Sequence, residues 1–156
     1  MKKKLQAVHI PETLFYETLA QTPLDGKHPL EPMQSYAEKH SVPIAVIEDK
    51  NVSTVPEVHL CDTDFFQCLE GSVEFITGGE LQGGYFEKDA QGGGNNAEIR
   101  GASIIGGTQV TLTRGDIIWI PAGVPHVHQS AGVARLLIVK VPANIVNKDD
   151  VACLWR

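Results

Sequence analysis

Cysteine is scarce in this sequence. Cys61, Cys68 and Cys153 are its three, none sits in a CxxC pair, and three thiols cannot all pair with one another. That pattern reads as reduced, partly buried thiols rather than a disulfide framework, with a Cys61–Cys68 bridge as the alternative. Positive charge is also short: 13 Lys and Arg against 19 Asp and Glu give a net charge of −6. No basic surface is left for nucleic acid or an anionic membrane. No apolar run is long enough to cross a bilayer. Met1-Lys2-Lys3-Lys4-Leu5 resembles the start of a secretory leader, but the run behind it carries Gln6 and His9 and stops at Pro11. The chain is therefore expected to be soluble and cytoplasmic. No GxGxxG or Walker sequence follows a strand-like run, and there are no internal repeats.

What is present fits one domain of common size: 156 residues, 42% of them hydrophobic. Residues 1–42 differ from the rest and are expected to form an N-terminal helical arm. Pro11 to Ala20 predicts a short helix, with Pro11 at its first position, Glu12 at the positive end of the dipole, and Leu14, Phe15, Thr18 and Leu19 on one face. Gln21 to Lys27 predicts a loop, and Glu31 to Lys39 a second helix. His9, His28 and His40 are scattered here without ligand spacing.

From Val42 onward the pattern becomes β. Short runs at 43–48, 53–60, 64–69, 72–77, 110–112, 116–120, 127–129 and 134–141 are separated by Gly, Pro and Asp. Glu70-Gly71 reads as a hairpin turn. Together they predict an antiparallel sandwich or barrel. Residues 78–107 are rich in glycine and read as a mobile flap with a strand near Glu98 to Ile105. Trp119 is expected in the core, and the tail is expected to dock on the arm.

Alternation places Glu57 and His59 on one face of a strand, with Asp64 opening the next. His126 and His128 share a face of a later strand. Two imidazoles with one or two carboxylates are a donor set for Fe, Mn, Ni or Zn. Taken singly, each has a blander role: Asp64 at a turn, Glu57 in solvent, His126 bonded to its own turn. Phe66 and Cys68 share Asp64's face and are candidate pocket walls. Tyr85 and Phe86 would cover the site from the flap, and Arg100 would fix a carboxylate substrate or form a surface ion pair. Glu57, if it is not a ligand, is the candidate general base, which requires its pKa to rise toward neutrality.

These residues resemble the two motifs of the cupins. In the first, Asn51 is followed by Glu57-x-His59, four residues, Asp64, six residues and Gly71, where the family has Gly, His-x-His, Glu and Gly. In the second, Gly115 is followed by Pro121-Ala122-Gly123, two residues, His126, three residues and Ser130, where the family has Asn last. The resemblance covers roughly residues 43–141 and divides the chain into an arm, 1–42, and a barrel, 43–156. It implies an all-β, double-stranded β-helix (jelly-roll) fold. It also implies a divalent metal ion held by Glu57, His59, Asp64 and His126, with His128 a weaker donor. The implied activity is dioxygenase, isomerase or decarboxylase chemistry on a small molecule. A non-catalytic ligand-binding or structural cupin is the alternative, and pairing into a homodimer is expected.

Overall fold

The computed structural model describes residues 6–88, 94–144 and 147–155. Helices α1 (Glu12–Leu19) and α2 (Met33–His40) flank the short strand β1 (Gly26–Pro29). Pro11 caps α1 rather than entering it, and Glu12 lies in the first turn, where a negative charge meets the positive end of the helix dipole. The helices bury Leu14 and Met33 against Leu30 and Val46, with Leu69 and Leu137 packed alongside. β1 pairs antiparallel with β2 (Ile44–Ser53), so this segment adds a strand to the sheet. Arg135 fastens it: buried beside Glu48 at 2.7 Å, it also donates to the carbonyls of Leu19 and Gln21.

The remaining strands are β3 (Glu57–His59), β4 (Asp62–Thr77), β5 (Glu80–Lys88), β6 (Gly94–Arg100), β7 (Ser103–Ile105), β8 (Thr108–Thr113), β9 (Ile117–Ile120), β10 (His126–Pro142) and β11 (Cys153–Trp155). Their order is β1-β2-β10-β3-β6-β5-β11, with β4 joining β10, β8 and β9, and β7 joining β5. The fold is an all-β jelly roll. Among the described residues the pairing path does not return on itself, so the sheet is open rather than a closed barrel. One core gathers Phe66, Cys68, Phe75, Leu112, Ile120 and Leu136. A second gathers Val58, Leu60, Leu81, Ile99 and Val151. Full burial of each large side chain contributes about 1.5–3 kcal/mol.

Several expectations need correction. Glu70-Gly71 is not a hairpin: β4 runs unbroken through it. Gly71 has φ +73°, and a Cβ there would lie 1.9 Å from the Val133 carbonyl oxygen. The two long strands bend together at this point, where the β4–β10 register shifts between Gln129 and Ala134. One half of β4 therefore pairs with β9 and the other with β8. Val127–Gln129 and Ala134–Val141 are likewise one strand, β10. The glycine-rich region is not a flap but contains β5, β6 and β7, although residues 89–93 lie outside the described residues. The tail docks on β5 through a parallel pairing, not on the arm. Trp119 is 54% exposed because it alternates outward on β9. Cys61 and Cys68 are free thiols.

Candidate metal centre

Strand register assembles the site. Val58 and Leu60 enter the second core, which turns Glu57 and His59 to the opposite side of β3. His126, the first residue of β10, lies directly opposite Glu57, and such cross-strand neighbours have Cβ atoms about 4.5–5.5 Å apart. Asp64 enters from β4, opposite Lys140 of β10 and Ile120 of β9. The turn before His126 is tied down by Gly123 N–H donating to the His59 carbonyl at 2.8 Å and Ala122 N–H to Thr63 Oγ1 at 3.2 Å.

Four donor atoms converge. His59 Nε2 lies 3.7 Å from Glu57 Oε1 and 3.3 Å from Asp64 Oδ2. His126 Nε2 lies 3.5 Å from Glu57 Oε1 and 3.7 Å from Asp64 Oδ2. The two rings are 5.3 Å apart at their centroids. These separations are long for hydrogen bonds. They lie close to, and three of the four slightly above, the edges of a coordination polyhedron, about 3.0–3.4 Å when metal–ligand bonds are about 2.1 Å. His126 Nδ1 is 3.0 Å from the Val124 carbonyl oxygen. A carbonyl only accepts, so Nδ1 carries the proton, and Nε2 is the nitrogen left to face the carboxylates as a donor of a lone pair whenever the ring is neutral. That nitrogen is buried and has no hydrogen-bond partner among the described residues. Glu57, His59 and His126 thus form a three-donor group with all ligand atoms within 4.8 Å, and Asp64 extends it. Two stretches far apart in sequence supply, from facing strands of a jelly roll, the positions that the two motifs specify.

The fold is the jelly roll that the motif resemblance implies. Set against the cupin motifs that the sequence resembles, Glu57 stands in the place of a first histidine and Asp64 in the place of a glutamate. No protein-family model and no curated protein sequence matches the chain. Among solved structures it is similar to the Drosophila melanogaster CENP-C cupin domain, at 11% identity and a TM-score of 0.45 over 67% of this chain and 59% of that one. It is similar to the Clostridium difficile EutQ protein at 18% identity and a TM-score of 0.40, over 65% and 53% of the two chains. It is also similar to Fe(II)-HppE, solved with an alternative substrate, at 16% identity and a TM-score of 0.43, over 67% and 44%. The chain spans 44% to 65% of the length of the first structures it matches. Likeness at this level transfers no function, which has to come from the residues themselves.

The electrostatics of this centre are dominated by carboxylates. Burial alone raises the Glu57 pKa, but the His126 and His59 imidazoles outweigh it and hold the carboxyl well below its ordinary range. The requirement attached to a general-base role, a pKa near neutrality, is therefore not met, and Glu57 suits a ligand better. Burial also raises Asp64, and His59 and Lys140 lower it further than burial raises it. Burial lowers His59, yet Asp64 and Glu57 together push its pKa up to about 9. Lys140 Nζ stands 2.9 Å from His59 Nε2, and an ammonium can donate there only if that nitrogen is unprotonated. The proton and the lysine thus compete for one lone pair. The surrounding carboxylates favour a cation at this nitrogen, whichever of the two supplies it.

The other candidates lie at varying distances from the centre. Cys68 is fully buried in the first core, its thiol toward the Glu70 and Gly71 carbonyls. Phe66 packs in the same core against Phe75 and His128, at 5.1 and 5.9 Å. Tyr85 is half exposed on β5 opposite Arg100, and Phe86 packs against the second core. Arg100 is engaged by Glu98 at 2.7 Å and Glu87 at 2.8 Å, with Glu57 at 3.9 Å. Motif reasoning misses two residues. Glu98 approaches His59 Nδ1 at 3.5 Å, and its alternation with Arg100 on one strand is the signal that could have found it. Lys140 reaches Asp64 Oδ1 at 2.6 Å, and only the β4–β10 register reveals it.

Proposed function

We propose that this cupin binds one divalent metal ion through His59, His126, Glu57 and Asp64 and acts on a small organic molecule. The observation that carries the reading is the buried His126 Nε2 lone pair, fixed by the Val124 carbonyl and facing donors at coordination spacing. Two imidazoles and two carboxylates suit Fe, Mn, Ni or Zn. A metal held there would supply Lewis acidity toward substrate oxygens, the requirement shared by dioxygenase, isomerase and decarboxylase reactions. The chain's own residues set the frame. Val124 holds one ligand ring in its tautomer, Glu98 backs the other, and Arg100 holds Glu98 and flanks Glu57. The pairing of copies into a homodimer belongs to the same reading, with the outward Ile117 and Trp119 of β9 available for contact.

The test is metal analysis of protein purified without chelator, beside a His59→Ala/His126→Ala double variant. One equivalent in the first and none in the second is expected; equal metal in both ends the reading. Turnover of candidate carboxylic acids on addition of Fe(II) or Mn(II) identifies an enzyme. Thermal stabilisation by a ligand without turnover identifies a non-catalytic binding cupin instead.

A further inference from the structure

Strand register carries the face of the centre outward. His126 lies opposite Glu57, Glu57 opposite Arg100, and Arg100 opposite Tyr85. Directly opposed residues present their side chains on one face of a sheet, so the four form a row across β10, β3, β6 and β5. The next row runs through Val58, Ile99 and Phe86 and turns the other way, into the second core. Strands lie about 4.8 Å apart, which puts the Tyr85 backbone on the order of 10 Å from that of Glu57. Tyr85 stands farthest out in the row, with 51% of its surface exposed. Aromatic side chains are common linings of small-molecule sites, and this one shares its face with the donor atoms.

Between the centre and the tyrosine stands Arg100. Its guanidinium meets Glu98 at 2.7 Å, Glu87 at 2.8 Å and Glu57 at 3.9 Å. Three carboxylates surround this one cation, so it has no charge to spare for an anionic group of a ligand. Carboxylates bond a guanidinium in its plane and leave its flat faces to stack on aromatic rings. We infer that Tyr85, backed by Arg100, is a subsite for an aromatic ring, and that the site selects small molecules in which an uncharged ring stands a few bonds beyond the metal-binding group. The inference rests on the metal-binding reading and adds a substrate class to it. The ring of Tyr85 supplies the contact and its hydroxyl has no part in it, so phenylalanine serves equally well.

The experiment uses three probes that share one chelating head: acetohydroxamate, 3-phenylpropanohydroxamate and the monohydroxamate of succinic acid. The second adds an uncharged ring and the third a carboxylate. Their affinities for the Mn(II)-loaded protein are measured by calorimetry in wild type, Tyr85→Ala and Tyr85→Phe, after Mn(II) titration of each stripped protein; Tyr85→Leu repeats the measurement should alanine disturb β5. Wild type should bind the phenyl probe about three- to tenfold more tightly than acetohydroxamate, the worth of one aromatic pair, and the succinyl probe no more tightly. Tyr85→Ala should lose the preference and Tyr85→Phe should keep it. If all forms bind Mn(II) and the preference survives in Tyr85→Ala, the metal reading stands and the subsite is overturned. If the succinyl probe binds more tightly than the phenyl probe, the subsite is cationic and the aromatic class is overturned. If wild type binds no Mn(II), the metal reading fails and takes this inference with it.

Discussion

His126 and His128 lie two residues apart on β10, and both are almost fully buried. Spacing treats them alike, because alternate residues of a strand share a face. Their surroundings differ completely. His126 is held by a backbone carbonyl and turns its free nitrogen toward Glu57 and Asp64. His128 spends Nε2 on Asp49 at 2.8 Å, with its ring 5.1 Å from Phe75 and 5.9 Å from Phe66. Its Nδ1 also lacks a partner, but it belongs to no three-donor group among the described residues. A buried lone pair becomes a ligand only where other donors converge on the same point. One imidazole faces the candidate centre, and the other knits β2 to β10.

The widest test of this contrast exchanges the two losses. His126→Ala should weaken metal binding by more than about a hundredfold, beyond the usual range for a residue outside the ligand set. Its cost to the metal-free fold should be only about 1 kcal/mol, the worth of one hydrogen bond. His128→Ala should do the reverse. It strands the Asp49 carboxyl in the interior and opens a space beside Phe75, at a cost of about 3 kcal/mol or more. Metal binding by the folded fraction should be unchanged. Urea denaturation and calorimetric metal titration of both variants read the two columns. A His128 variant that folds normally yet loses metal would erase the distinction.

Proton competition sharpens the contrast by a smaller amount. His59 has its pKa pushed from 6.5 to about 9 by Asp64 and Glu57 against the opposing effect of burial. A folded-state pKa above the unfolded value stabilises the fold fully below pH 6.5, and that stabilisation disappears as pH rises through about 9. Metal needs the neutral ring, so its affinity runs the other way, climbing by up to about tenfold per pH unit until the same point. Urea unfolding of stripped protein and chelator competition, each at several pH values between 6 and 9.5, should show opposite slopes. A His59→Gln variant should flatten the unfolding slope, whereas His128→Ala should leave both slopes in place.

The juxtaposition of the four candidate residues was legible in the sequence because each lies close to a strand end, where period-two alternation and motif spacing carry spatial information. Glu57 with His59, Asp64 and His126 are placed by counting along short runs. What counting cannot supply is the register between strands. Lys140 enters the centre only because it faces Asp64 across β4 and β10, and that alignment depends on the bulge between Gln129 and Ala134. The same bulge hides the continuity of β4, since Glu70-Gly71 carries the local signature of a turn and Gly71 instead accommodates the close Val133 carbonyl. Glycine misled again in residues 78–107, where it read as mobility and proved compatible with paired strands. Trp119 misled for a different reason: residue type predicts burial, but its place in the alternation of β9 turns it outward.

The smallest expected effect concerns the carboxylates behind the two rings. Glu98 Oε2 lies 3.5 Å from His59 Nδ1, and its other oxygen holds Arg100 at 2.7 Å. A carboxylate behind a ligating imidazole orients the ring and raises its basicity. Glu98→Gln keeps the shape and removes the charge, so metal affinity should fall by about tenfold, the low end for such partners, with the fold intact. Asp49 stands in the same relation to His128, at 2.8 Å, but that ring serves packing. Asp49→Asn should therefore cost about 1 kcal/mol of stability through a weakened hydrogen bond and leave metal affinity where it was. Equal losses of metal affinity in the two variants would mean that the strand transmits both carboxylates to one centre, and His128 would then have to be counted with the ligands' supporting partners.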